Sequence, residues 1–158
     1  MTAAAKRKPR PAASDDYRLQ AQVGFLLRKA HQAATESFLA TMDGIDVTPR
    51  QFSVLITLLQ RGETGLGLLG ELTAMDPATL LGVVRRLARR KLLVVRGDPE
   101  DGRRRIAQLT RQGQDLAAHL ITLGPQVSER TLGDFAPEER ATLLALLERL
   151  GNRREAGA

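Results

Sequence analysis

Asp76-Pro-Ala-Thr-Leu-Leu-Gly-Val-Val-Arg-Arg-Leu-Ala-Arg-Arg-Lys-Leu-Leu-Val-Val-Arg-Gly-Asp-Pro-Glu-Asp-Gly-Arg-Arg-Arg-Ile-Ala-Gln-Leu-Thr-Arg-Gln-Gly113 is the stretch that decides the fold. Asp76 followed by Pro77 marks a helix start. The carboxylate can cap free N–H groups, and proline fits a first turn that needs no N–H of its own. Leu80, Val83, Val84 and Leu87 then share one face, which predicts a helix buried on that side. Thr79, Gly82, Arg85, Arg86 and Arg89 fall mainly on the others. Leu92-Leu93-Val94-Val95-Arg96 and Ile106-Ala107-Gln108-Leu109 have strand character and can pair around the turn-rich tip Gly97 to Gly102. Arg103, Arg104 and Arg105 leave that tip on alternating faces, so at least one points outward. Asp101 stands two residues before Arg103 and can hold its guanidinium in a fixed pose, limiting the ordering cost of binding.

Helices are predicted almost everywhere else. From Tyr17 to about Met42, the residues Leu19, Val23, Leu26, Ala30, Ala34 and Phe38 recur at helical steps. Asp43-Gly44 ends that run. Thr48-Pro49-Arg50-Gln51 restarts one, with Thr48 as cap and Gln51 completing a capping box. Phe52, Leu55, Leu58 and Leu59 form its predicted buried stripe, and Arg61-Gly62 stops it. Leu66 to Met75 is a shorter apolar segment weakened by Gly67 and Gly70. After the block, Leu116, Leu120, Leu123 and Val127 mark a long helix with Gly124-Pro125 inside it. A last helix runs from about Pro137 to Leu150. Its Leu143, Leu144, Leu146, Leu147 and Leu150 exceed the need of one core face, which points to burial against a second chain.

Composition narrows the function classes. The 158 residues suffice for one domain with a real core. Aromatics at 3% suit helix packing better than a β-sandwich. With no cysteine, disulfides, thiolate zinc sites and thiol redox sensing are excluded. No apolar run approaches the roughly 18 residues that span a bilayer. The basic N-terminus lacks the apolar stretch of a secretory signal, so a cytoplasmic location without membrane partners is expected. The net charge of +6 is unevenly spread: +4 over residues 1–13, +5 over residues 76–105 and −3 over the remainder. That is the distribution of a nucleic-acid footprint, although a solvated basic face fits the charge alone equally well.

The order of elements adds what charge cannot. Two helices joined by a turn near Met75-Asp76 make a helix-turn-helix, and the hairpin after the second helix is a wing. That places a helix fit for a DNA major groove beside a charged hairpin. Arg90 and Lys91 read instead as a solvated helix end, where cations are favoured.

The helix order, the wing, and the motifs Asp98-x-x-Asp101-x-Arg103 and Leu109-Thr110-x-x-Gly113 together resemble the MarR family of bacterial transcriptional regulators over residues 17–150. The fold this implies is mainly α. It is a winged helix-turn-helix with N- and C-terminal dimerisation helices, about six helices in all, and a small β-hairpin wing. The parts would be a disordered basic tail (1–14), an N-terminal dimerisation helix (15–45), the winged domain (46–109) and C-terminal dimerisation helices (110–158). The resemblance implies a homodimer on palindromic double-stranded DNA, acting as a repressor. It assigns base or phosphate contacts to Ala78, Thr79, Gly82, Val83 and Arg86, and a wing pair to Asp101 and Arg103. Arg85 and Arg104 join these as exposed cations of the same block. Gly82 stands where many members carry a larger residue, and Leu81 where a polar one is common. A ligand pocket between dimerisation helices and winged domain is also implied. Leu27-Arg28-Lys29-Ala30-His31-Gln32 is similar to a pattern in members that answer to aromatic acids or their CoA thioesters. Arg28 and His31, three residues apart on one helix, could meet a carboxylate. An ordinary surface arginine and a hydrogen-bonded histidine fit the same residues.

No enzyme is expected. His31 and His119 are far apart, and no catalytic constellation, metal-ligand cluster, phosphate-cradling loop or cofactor motif is recognisable. An RNA-binding protein would need aromatic stacking surfaces that Tyr17 and four phenylalanines do not offer. A non-specific architectural nucleic-acid-binding protein without a ligand is the remaining alternative.

Overall fold

A computed structural model describes residues 17–152. A 3-10 turn at Leu19–Ala21 precedes α1 (Val23–Thr41), α2 (Pro49–Arg61), β1 (Thr64–Gly65), α3 (Leu66–Leu72) and α4 (Pro77–Arg89). The chain continues through β2 (Leu93–Gly97), β3 (Arg105–Leu109), α5 (Arg111–Leu132) and α6 (Pro137–Gly151). Six helices and a hairpin wing match the expected fold class. The basic tail expected over residues 1–14 lies outside the described residues. One element was not expected: β1, only two residues long, pairs antiparallel with β3 and gives the sheet order β1-β3-β2. Two residues cannot show a period, so the hydrophobic pattern carried no trace of it.

The chain divides into two compact units, one ending at Gln32 and the other starting at Ala33. In the first, among the described residues, only Phe25 is even half-buried. The second holds the core, formed by Phe38, Met42, Val54, Leu55, Leu58, Leu69, Leu80, Val83, Val84, Leu87, Leu93 and Leu120 with their neighbours. Burying a leucine contributes about 2 kcal/mol, whereas exposed ion pairs give less than about 1 kcal/mol each. Cohesion therefore comes from aliphatic packing.

Local signals explain the element ends. The Thr48 capping box forms, with the Gln51 N–H donating to Thr48 Oγ1 at 3.3 Å and the Thr48 N–H to Gln51 Oε1 at 3.0 Å. Gly62, at φ 77°, stops α2. The buried face of α2 is centred on Val54, Leu55 and Leu58, while Phe52 and Leu59 pack half-buried at its margin. Phe52 meets Phe38 edge-on, with ring centroids 5.6 Å apart. Between α3 and α4 the chain turns through Ala74, whose φ of 52° is left-handed. The four apolar residues expected to face the core from α4 are all buried.

The exit from α4 is a close junction. Lys91 adopts φ 59°, and the Leu92 N–H reaches back to the Leu87 carbonyl at 3.0 Å. The start of α5 closes on this exit. The Thr110 N–H donates to the Leu92 carbonyl at 3.1 Å. The Thr110 hydroxyl donates to the Lys91 carbonyl at 2.7 Å and accepts the Gly113 N–H at 3.1 Å. One side chain thus caps α5 and ties it to the end of α4. Gly113 is needed because a Cβ there would stand 1.8 Å from the Leu92 carbonyl oxygen. Gly113→Ala should therefore lower stability by on the order of 3 kcal/mol. Urea unfolding should show a reduced midpoint with an unchanged m-value; an unaltered midpoint would contradict the junction as described.

Candidate nucleic-acid interface

Recognition-helix candidates are set by the cap of α4. Asp76 accepts the Thr79 N–H at 2.9 Å and the Thr79 hydroxyl at 2.6 Å. The hydroxyl and N–H of Thr79 hold the Asp76 carboxyl below its ordinary value of 3.8. A lowered carboxyl pKa stabilises the folded helix above the ordinary range, and that contribution is lost as pH falls through the lowered value. With its proton committed to Asp76, the Thr79 hydroxyl has only acceptor capacity and a methyl group left for an outside partner.

The helical period then sorts the remaining candidates. Ala78, Arg85 and Arg86 are exposed, and Thr79 and Gly82 are half-buried. Val83 corrects the expectation taken from the family: it is 1% exposed and belongs to the core. It lies three residues from Leu80 and four from Leu87, on the inward face, where no DNA group could reach it. Arg90, read as a helix-end cation, faces Asp46 at 3.5 Å. No feature within its own helix announced that partner, which comes from the loop before α2.

The wing turns on Asp101, but not in the expected way. Its Oδ1 accepts the Arg103 main-chain N–H at 3.0 Å, while its Oδ2 pairs with Arg104 Nε at 3.3 Å. The carboxylate therefore fixes the backbone at Arg103 and the guanidinium of Arg104. The expected grip on the Arg103 guanidinium is replaced by this arrangement, because the turn brings Arg104 back over Asp101. The Arg104 N–H also donates to the Asp101 carbonyl at 2.8 Å, and the Asp98 N–H to the Arg104 carbonyl at 3.0 Å. Arg103 itself projects exposed from a braced tip.

A second brace was invisible in the sequence. Glu63, just before β1, pairs with Arg96 of β2 at 2.5 Å. Gly65 of β1 and Arg96 both stand opposite Ile106 of β3, so this pair spans the sheet across its middle strand. The 33-residue separation left no local signal. Within α1, the Arg28 guanidinium lies 5.4 Å from the Phe25 ring centroid, a cation–π contact. His31 is three residues on in the same helix. Two cavities are described, one of about 290 Å³ beside Leu58, Glu63, Arg111 and Asp115, and one of about 830 Å³ beside Leu66, Gly70, Leu80 and Leu81. Neither is lined by Arg28 or His31.

Arg103 is exposed and makes no ion pair among the described residues. Arg103→Ala should leave the melting temperature nearly unchanged and weaken duplex-DNA binding about tenfold or more. Fluorescence anisotropy with labelled duplex reads the affinity, and full-strength binding by the variant would remove the wing tip from the interface.

Comparison with known proteins converges on this arrangement. The MarR family model matches residues 47–104. The HTH-type transcriptional repressor NicR of Pseudomonas putida is 36% identical over 140 residues, covering 89% of each chain. A solved structure of Bordetella bronchiseptica BpsR, described as regulated in DNA binding by 6-hydroxynicotinic acid, is similar at TM-score 0.81 and 36% identity, covering 86% of this chain and 97% of that one. The Streptomyces coelicolor regulator PcaV in complex with its natural ligand is similar at TM-score 0.80 and 30% identity, covering 87% and 97%. With a helix-turn-helix, a braced basic wing and relatives of this kind along nearly its whole length, the chain belongs to the MarR family of DNA-binding transcriptional regulators.

Proposed function

We propose that the protein is a cytoplasmic repressor that binds a palindromic operator as a homodimer and is released by a small aromatic acid or its CoA thioester. The dimer reading is carried by one observation: α6 has 15 residues and none is buried. Leu144, Leu146, Leu147 and Leu150 are all at least 40% exposed. A helix so rich in leucine and so little covered needs a partner surface. A second copy related by a two-fold axis would present two α4 helices to an inverted repeat. In this reading α1, α5 and α6 form the dimerisation part, and residues 46–109 the reading head.

Each candidate then has a role. Thr79 accepts a hydrogen bond from an exocyclic amine of adenine or cytosine, the acceptor role being the one its hydroxyl retains. Ala78 and Gly82 face the groove. Arg85 and Arg86 contact phosphates or guanine edges, and Arg103 enters the adjacent minor groove from the wing. Asp101 and Arg104 hold the wing tip. Arg28, already oriented on Phe25, and His31 receive the effector carboxylate. Regulation of BpsR by 6-hydroxynicotinic acid supports an aromatic acid as the effector class.

Selection of bound sequences from random duplex DNA tests the reading. An inverted repeat should be enriched, and binding to it should fall at least tenfold when 6-hydroxynicotinic acid or an aromatic CoA thioester is added. Enrichment of no sequence would establish the architectural alternative. Enrichment with no response to either compound would remove the effector class.

A further inference from the structure

Helical glycines cost stability relative to alanine, so each one calls for a cause. Gly113 has one in the Leu92 carbonyl, and Gly70 another in the Met75 carbonyl, 3.2 Å from where a Cβ would stand. A Cβ at Gly124 would meet Phe52 at 3.6 Å, an ordinary contact inside the packed α2–α5 region. Gly24, Gly67 and Gly151 sit at the ends of their helices, where helical hydrogen bonding is incomplete. Gly124, like Gly82, meets no steric obstacle, but it faces Phe52 inside the fold and precedes Pro125, whereas Gly82 lies away from the buried face of its helix. It occupies the interior of α4, and its φ is not in the left-handed range. Among the described residues, the only atom within 4 Å of an added Cβ is a terminal nitrogen of Arg86 at 3.9 Å. Alanine would fit there and would favour the helix.

Among the described residues nothing packed around Gly82 requires a glycine, and its location suggests a reason outside the chain. Gly82 lies opposite the buried face of α4, four residues after exposed Ala78 and three before exposed Arg85. A B-DNA major groove is about 12 Å wide, barely more than an α-helix with its side chains at about 10–12 Å. A side chain on the leading edge therefore sets how deeply such a helix can seat. We propose that Gly82 is a specificity-determining clearance position. Its bare Cα lets α4 approach the base edges closely enough for Thr79 and Arg86 to read them. The partner is the floor of a duplex-DNA major groove, and the inference rests on α4 being the groove-entering helix. Phosphate contacts tolerate a shallower seat, but base contacts do not. Gly82 therefore controls discrimination more than total attraction.

The test uses the full chain, a duplex selected by the wild-type protein from random DNA, and a scrambled duplex of equal length. Gly82→Ala should raise the melting temperature and weaken binding to the selected duplex at least tenfold, with affinity and salt slope on scrambled DNA unchanged. Wild-type affinity of Gly82→Ala for the selected duplex would overturn the proposal. A lowered melting temperature would also overturn it, because the fold itself would then require the glycine. Arg85→Ala separates the two levels. If it weakens binding while Gly82→Ala does not, only the clearance role fails. If neither variant weakens binding, α4 is not the helix that enters the groove and both readings fail.

Discussion

The Leu92 carbonyl is where α4, β2 and α5 are locked to one another. It accepts the Thr110 N–H and lies against the bare Cα of Gly113. Within two residues of it, α4 ends through left-handed Lys91 and β2 begins. The proposed recognition helix α4, the strand β2 that starts the wing and the helix α5 thus share one contact. No side chain can be inserted there, so the three elements have little freedom to shift independently. A displacement of α5 must move the α4 exit and the wing root with it, or break the Thr110 hydrogen bonds to Lys91 and Leu92. In the proposed dimer, that rigidity would give a change in α5 a mechanical route to the proposed DNA-facing surface of α4 and the wing.

Around this junction, acidic side chains divide the arginines into two groups. Asp46, Glu63 and Asp101 engage Arg90, Arg96 and Arg104. Exposed pairs of this kind add little stability, so their effect is one of placement. Arg85, Arg86 and Arg103 make no ion pair among the described residues and are exposed. The basic block is therefore part scaffold and part unpaired charge. Among the described residues, the unpaired part comprises Arg85, Arg86 and Arg89 of α4, Lys91 just after it, and Arg103 and Arg105 of the hairpin.

Much of this was legible because the signals are local. Asp76-Pro77, the Thr48 to Gln51 box and the four-residue apolar period of α4 each describe structure within a turn or two. Their reading survives intact. What was lost depends on residues distant in the chain. The Glu63–Arg96 pair and the Asp46–Arg90 contact join segments that no period or spacing links. The motif Thr110-x-x-Gly113 was recognisable as a pattern, but its cause is the carbonyl of Leu92, eighteen residues before Thr110. Val83 shows the opposite failure. Its burial was written in the helical period, and the family-based assignment to DNA set that local evidence aside. At Asp101 the spacing located the braced turn, while the choice between Arg103 and Arg104 depended on how the tip folds back.

The central claim is that two copies of α4 and its wing read one duplex in fixed register. Hydroxyl-radical and guanine-methylation footprinting on a selected duplex test it most directly. A dimer of this kind should leave two symmetric half-sites about one helical turn apart, each with a protected major groove flanked by minor-groove protection. Uniform protection without register, or a single unpaired half-site, would contradict it.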